Sequence, residues 1–190
     1  MTTTDSSSSL RLFLAAPVDP LLSAQLHDSL VISRDMLPAL RPVPVTNMHL
    51  TLAFIGNYPE QQLQQTLLPA LQQALQEARP GRVYLRQVTG FPRADQASCL
   101  VAEGNPSPTL LQLHHLLQQT LAPIVDSPQD NQPGLWRPHI TLARFLNTPE
   151  DPVVATPWLQ ELPVSEVVLY RSNTTSHGPV YQALQSWSLN

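Results

Sequence analysis

Lysine is missing altogether, and all ten basic residues are arginine. This excludes any chemistry that needs a lysine amine: a P-loop lysine, a Schiff base, or the lysyl-nucleotide of an ATP-dependent nucleic-acid ligase. Cysteine is nearly missing too, and the single Cys99 allows neither an intrachain disulfide nor a thiolate metal cluster. Charge is sparse, at 13% of residues and a net −4, which argues against a broad basic footprint along a nucleic acid. An RNA substrate would be gripped at its end. No run approaches the roughly 20 apolar residues of a membrane-spanning helix. The start, Met1 to Ser9, has neither the basic nor the apolar region of a secretory signal. The expectation is a cytoplasmic monomer with a disordered tail over residues 1–9 and a single domain over 10–190.

Proline, by contrast, is abundant at 20 residues, which implies short elements and rigid connections. Period-two alternation predicts strands over Leu10–Leu14, Met48–Ile55, Arg82–Arg86, Ser98–Ala102, His139–Phe145 and Val167–Tyr170, with a short last one at Trp187. Helices are predicted from Pro20 to Arg34, behind an Asp19 cap, and from Pro106 to Ala122. A third carries Leu63, Leu67, Leu71 and Leu75 on one stripe, with a kink or late start expected at Pro69. Strands outnumber helices, so the fold class is α+β.

The informative feature is a repeat. His49-Leu-Thr-Leu-Ala-Phe54 and His139-Ile-Thr-Leu-Ala-Arg144 agree at five of six positions when Leu and Ile are equated, at an offset of 139 − 49 = 90. On a strand, residues i and i+2 share a face. His49 and Thr51 therefore project together, as do His139 and Thr141, with the intervening aliphatic residues in the core. A lone His-x-Thr on a strand is usually packing. Two copies half a chain apart suggest two lobes whose pairs meet across a cleft. Such a constellation suits in-line attack at phosphorus, with one neutral imidazole as base and one protonated imidazole as acid. The threonine hydroxyls can donate to the non-bridging oxygens. No metal or cofactor is required.

The sequence resembles the two-histidine phosphoesterase superfamily, and within it the LigT-like bacterial RNA 2',3'-cyclic phosphodiesterases, also called 2'-5' RNA ligases. The resemblance rests on Arg11-Leu-Phe-Leu-Ala15, Asn47 to Gly56, Arg137 to Arg144, Leu169-Tyr-Arg-Ser172, Gly178-Pro-Val-Tyr181 and Trp187. It implies a bilobal fold, with two pseudo-symmetric antiparallel-sheet lobes and outer helices around a central cleft. It also implies hydrolysis of a terminal 2',3'-cyclic phosphate to a 2'-phosphate, with ATP-independent 2'-5' ligation as a weak reverse activity. The expected catalytic residues are His49 and His139, and the expected phosphate ligands are Thr51, Thr141 and Arg144.

Strict alternation puts Arg144 on the core face beside Leu142, so it reaches the cleft only if the strand bulges or ends there. Arg11 and Phe13 share the other face of the first strand, where Phe13 could stack on a terminal base or pack on a neighbouring strand. Tyr170 and Tyr181 are candidates for the cleft wall. His114 and His115 point about 100° apart on a helix and cannot both serve one site. His27 reads as a surface residue, and His177 as a loop residue that could approach the cleft. Two alternatives remain. One keeps the site but takes a small cyclic nucleotide or an ADP-ribose cyclic phosphate; the other is a non-catalytic RNA-end binding module.

Overall fold

The computed structural model describes residues 8–34, 40–125, 136–176 and 178–190. The expected tail lies outside these residues as far as residue 7, and so does His177. Ser9 already belongs to the first strand.

In chain order the elements are β1 (Ser9–Pro17), α1 (Pro20–Arg34), β2 (Leu40–Pro42) and β3 (His49–Pro59). A helical stretch follows, from α2 (Glu60–Gln62) through a π-helical turn at Leu63–Leu67 into α3 (Leu68–Leu75). Then come β4 (Gly81–Phe91), β5 (Cys99–Pro106), α4 (Pro108–Leu121), β6 (His139–Phe145), β7 (Thr156–Val164), β8 (Glu166–Thr175) and β9 (Gly178–Ser188).

Local chemistry explains the helix starts. Asp19 accepts from the Leu21 and Leu22 amides at the head of α1, and Ser107 accepts from the Leu110 amide at the head of α4. The irregularity expected at Pro69 is the π turn just before it, because proline has no N–H for the carbonyl four residues back.

The strands form one antiparallel sheet in the order β7-β4-β5-β6-β3-β1-β8-β9, with β2 added alongside β6. The expectation is two antiparallel-sheet lobes. The pairing runs continuously through the middle, where β3 and β6 meet in the single pair Leu50–Ile140. The motif strands are thus neighbours at the centre. Two strands were not foreseen: β2, only three residues long, and β7, whose Pro157 and Pro163 weaken any strand signal. β7 ends the strand order, where prolines are tolerated. The strand at Trp187 is longer than expected, at 11 residues.

Leu50 and Leu52 of β3, Ile140 and Leu142 of β6, and Ala102 of β5 are buried with Leu110, Leu113, Leu117 and Leu121 of α4 and Leu71 and Leu75 of α3. Each buried leucine contributes about 1.5–3 kcal/mol. A Trp187 Nε1–H···Oε1 Gln72 hydrogen bond of 2.9 Å ties β9 to α3. Every aliphatic neighbour of the motif residues faces this core, so the His-x-Thr pairs face the other way.

Candidate active site

His49 and Thr51 are partly exposed while Leu50 and Leu52 are buried, and His139, Ile140, Thr141 and Leu142 repeat the pattern. The two imidazoles are held alike. His49 Nδ1 lies 2.7 Å from the Asn47 carbonyl, and His139 Nδ1 lies 2.7 Å from the Arg137 carbonyl. A carbonyl can only accept, so each Nδ1 carries the proton and each Nε2 is the nitrogen that gains or loses one. Anchoring each ring to the residue two positions back fixes both tautomer and orientation.

Arg144 corrects the strict-alternation reading. Along the β5–β6 ladder Leu100 pairs with Ala143 and Val101 with Thr141, so Leu142 is an extra residue. β3 does the same against β1, where Leu14 pairs with Ala53 and Ala15 with Thr51, leaving Leu52 extra. Each bulge shifts the alternation by one. Phe54 and Arg144 consequently turn to the histidine face and are exposed, while Ala53 and Ala143 are buried. Arg144 Nη1 sits 3.3 Å from Cys99 Sγ, and across β2 its register partner is Arg41. Gly178, beside the Arg41 guanidinium, has φ +117°, a conformation that L side chains rarely adopt, and this is what calls for glycine there.

The bulge carbonyls find partners elsewhere. The Val43 amide donates to the Leu142 carbonyl at 2.8 Å. His114 Nδ1 lies 2.9 Å from the Leu52 carbonyl, so this histidine, only 6% exposed, ties α4 to the β3 bulge. Its ring stacks on Trp136 at 4.2 Å and 6°, three residues before His139. Burial, and to a lesser extent the neighbouring His115, hold its pKa below the usual histidine value, against the pull of the Leu52 hydrogen bond. Adjacent placement on a helix gave no sign of this role.

Aromatic rings pack each catalytic candidate. Phe91 lies against His139 at 4.3 Å and 27°, and the Arg137 guanidinium covers Phe91 at 4.9 Å. Arg137 also pairs with Glu103 and donates to the Pro92 carbonyl. Glu103, the register partner of His139, further accepts from Gln87. Around His49 stand Phe13 at 5.0 Å, Tyr181 at 5.1 Å and Tyr170 at 6.3 Å. Phe13 is not available to stack on a base: it is 5% exposed and packed between His49, Tyr170 and Tyr181. Arg11 is in register with Asn57, toward the end of β1 opposite Pro17, the register partner of His49. Phe91, Glu103 and Tyr181 come from strands distant in sequence, and apart from Tyr181 nothing local marked them.

Burial holds the His49 pKa below the usual value, and the positive charges of His139 and Arg144 push it the same way, against the Asn47 hydrogen bond. The three groups therefore share one electrostatic site. Tyr170 is shifted upward, by burial first and then by Glu166. Among the described residues no three His, Cys, Asp or Glu side chains cluster as metal ligands.

Residues 34–175, which include both motifs, match the 2'-5' RNA ligase superfamily. The chain is 33% identical over 152 residues to the RNA 2',3'-cyclic phosphodiesterase of Thermus thermophilus, covering 78% of this chain and 75% of that one. The fold superposes on the crystal structure of TT0787 from Thermus thermophilus with a TM-score of 0.82 at 29% identity, covering 95% and 98% of the two chains. It superposes on Escherichia coli LigT complexed with 3'-AMP with a TM-score of 0.72 at 26% identity, covering 96% and 99%. This chain belongs to the 2'-5' RNA ligase superfamily, the LigT-like two-histidine phosphoesterases. The Thermus thermophilus relative bears the name of a phosphodiesterase, and the fold is the α+β fold of the LigT structures, built on a large antiparallel sheet.

Proposed function

We propose that this chain is an RNA 2',3'-cyclic phosphodiesterase that converts a terminal cyclic phosphate to a 2'-phosphate. The observation that carries the reading is the matched setting of His49 and His139, each with Nδ1 bonded to the carbonyl two residues back and a threonine on the same face. We read residues 10–190 as one catalytic domain made of two pseudo-symmetric lobes, β9-β8-β1-β3 and β7-β4-β5-β6. The equivalent bulges at Leu52 and Leu142 support that reading.

In the proposed reaction a water attacks phosphorus, the new P–O bond forms, and the bond to the 3'-oxygen breaks on the opposite side. One Nε2 takes the water proton and the other delivers a proton to the leaving 3'-oxygen. His49 suits the base, since burial and adjacent positive charge favour its neutral form. His139 is then the acid. Thr51 and Thr141 donate hydrogen bonds to the non-bridging oxygens, and Arg144 neutralises their charge. Tyr170 and Phe13 hold the His49 ring in place. Proton transfer and charge stabilisation both come from side chains, so no metal or cofactor enters the scheme. The reverse reaction, ATP-independent 2'-5' ligation, uses the same groups.

The test is incubation with an oligonucleotide ending in 2',3'-cyclic phosphate, followed by identification of the end. A 2'-phosphate supports the reading, a 3'-phosphate would reverse which bond breaks, and an intact, protected end would mark a binding module. A second reading, a small cyclic nucleotide as substrate, is favoured by the LigT complexes with 3'-AMP and NADP+.

A further inference from the structure

The face that carries His139 continues beyond β6. Cross-strand neighbours share a face, so the row runs from His139 through Glu103 on β5 to Gln87 on β4. Two residues along β5, about 7 Å at the strand rise, Asn105 pairs with Tyr84 on this same face. Between Leu85 and Gln87 the ladder is irregular on both sides: against β5 Arg86 is the extra residue, while on β7 two residues, Trp158 and Leu159, intervene between the partners Pro157 and Gln160. The bulge turns Arg86 outward beside Gln87 while Leu85 and Val88 stay buried. The result is a groove of about 230 Å³ lined by Arg86, Gln87, Glu103, Gly104, Asn105 and Arg137. Glu103, on its wall, is the register partner of His139.

The groups here are those that grip a single strand. Tyr84 is 43% exposed, and its ring pairs with no other aromatic among the described residues. Arg82 is held by Glu161 and Arg137 by Glu103, whereas Arg86 makes no ion pair with a described residue. Gln87 and Asn105 add amides that can read base edges. An exposed ring takes a base by stacking, and a cation beside it takes the adjoining phosphate.

We propose that this groove, together with Tyr84 beside Asn105 at its border, is a second nucleotide subsite, holding the nucleotide on the 5' side of the cyclic phosphate, with its base on Tyr84 and its phosphate at Arg86. One ring and one cation serve one nucleotide, in keeping with a net charge of −4. The inference rests on the cyclic phosphodiesterase reading and narrows its substrate to an RNA chain.

The experiment compares kcat/KM for a mononucleoside 2',3'-cyclic phosphate with that for a trinucleotide ending in the same group, in the wild type, Tyr84→Ala and Arg86→Ala. The wild type should prefer the trinucleotide by about tenfold or more, the effect of one stacked base. Each variant should lose most of that preference, through the trinucleotide alone, and should hydrolyse the mononucleotide at the wild-type rate. Equal wild-type rates on both substrates, or variants that retain the preference, would overturn the subsite and leave the phosphodiesterase reading intact. A wild type that opens no cyclic phosphate would overturn both.

Discussion

Replacing His114 with alanine removes a group that touches no substrate in this account, yet it should be among the more damaging single changes in the chain. Two interactions are lost. The Leu52 carbonyl, at the extra residue of the β3 bulge, loses the donor 2.9 Å away, and the Trp136 ring loses the imidazole stacked on it at 4.2 Å. A buried acceptor stripped of its partner costs about 1–3 kcal/mol. A lost aromatic stack adds about 0.5–1.5 kcal/mol. The total, about 2–4 kcal/mol, corresponds in a chain of this size to a fall in Tm of roughly 5–15 °C. The loss should depend on pH in a definite sense. The folded-state pKa of His114 is held below its unfolded value, so its contribution is fully present above about pH 6.5. As pH falls below that, unfolded chains bind the proton first and the contribution shrinks. Thermal melts of wild type and His114→Ala at pH 8 and pH 5 measure this, and the gap should be wider at pH 8. His114→Gln, which can still donate, should recover part of it. A variant that melts within about 1 °C of wild type at pH 8 would refute the clamp.

Arg144→Ala should raise the pKa of His49 by removing a positive charge that depresses it. The acid limb of the kcat/KM profile, expected below pH 6.5, should therefore move up in pH while the rate falls; a limb that stays put would separate the two residues. Phe91→Ala should lower kcat more than it raises KM, since its ring supports His139 at 4.3 Å and binds no phosphate in this scheme. A rise in KM alone would count against that support. Rates in excess EDTA should equal those in magnesium buffer, and activity restored by one particular divalent ion would contradict the proton-transfer scheme.

The sequence revealed the motif strands because period-two alternation depends only on neighbouring residues. His49 with Thr51 and His139 with Thr141 could be read as pairs for that reason, and so could the Asp19 cap. Arg144 could not, because its side depends on an extra residue in a ladder, and a bulge is defined by two strands at once. Phe91 and Glu103 were hidden for a related cause: they reach the site by cross-strand register from elements far away in the chain. Phe13 was placed on the correct face, but the rings that cover it belong to β8 and β9. The joined sheet rests on one residue pair, Leu50–Ile140, which no pattern within either strand announces.

The account depends most on the claim that both histidines exchange protons with the substrate. The direct measurement is turnover of an oligonucleotide ending in 2',3'-cyclic phosphate by His49→Ala and His139→Ala, with thermal melts alongside. Both side chains lie outside the aliphatic core, so each variant should still fold, with a Tm lowered by the ring contacts and backbone hydrogen bond it loses, while turnover falls by at least about a hundredfold. A folded variant of either histidine that keeps near-normal turnover would contradict the two-histidine mechanism.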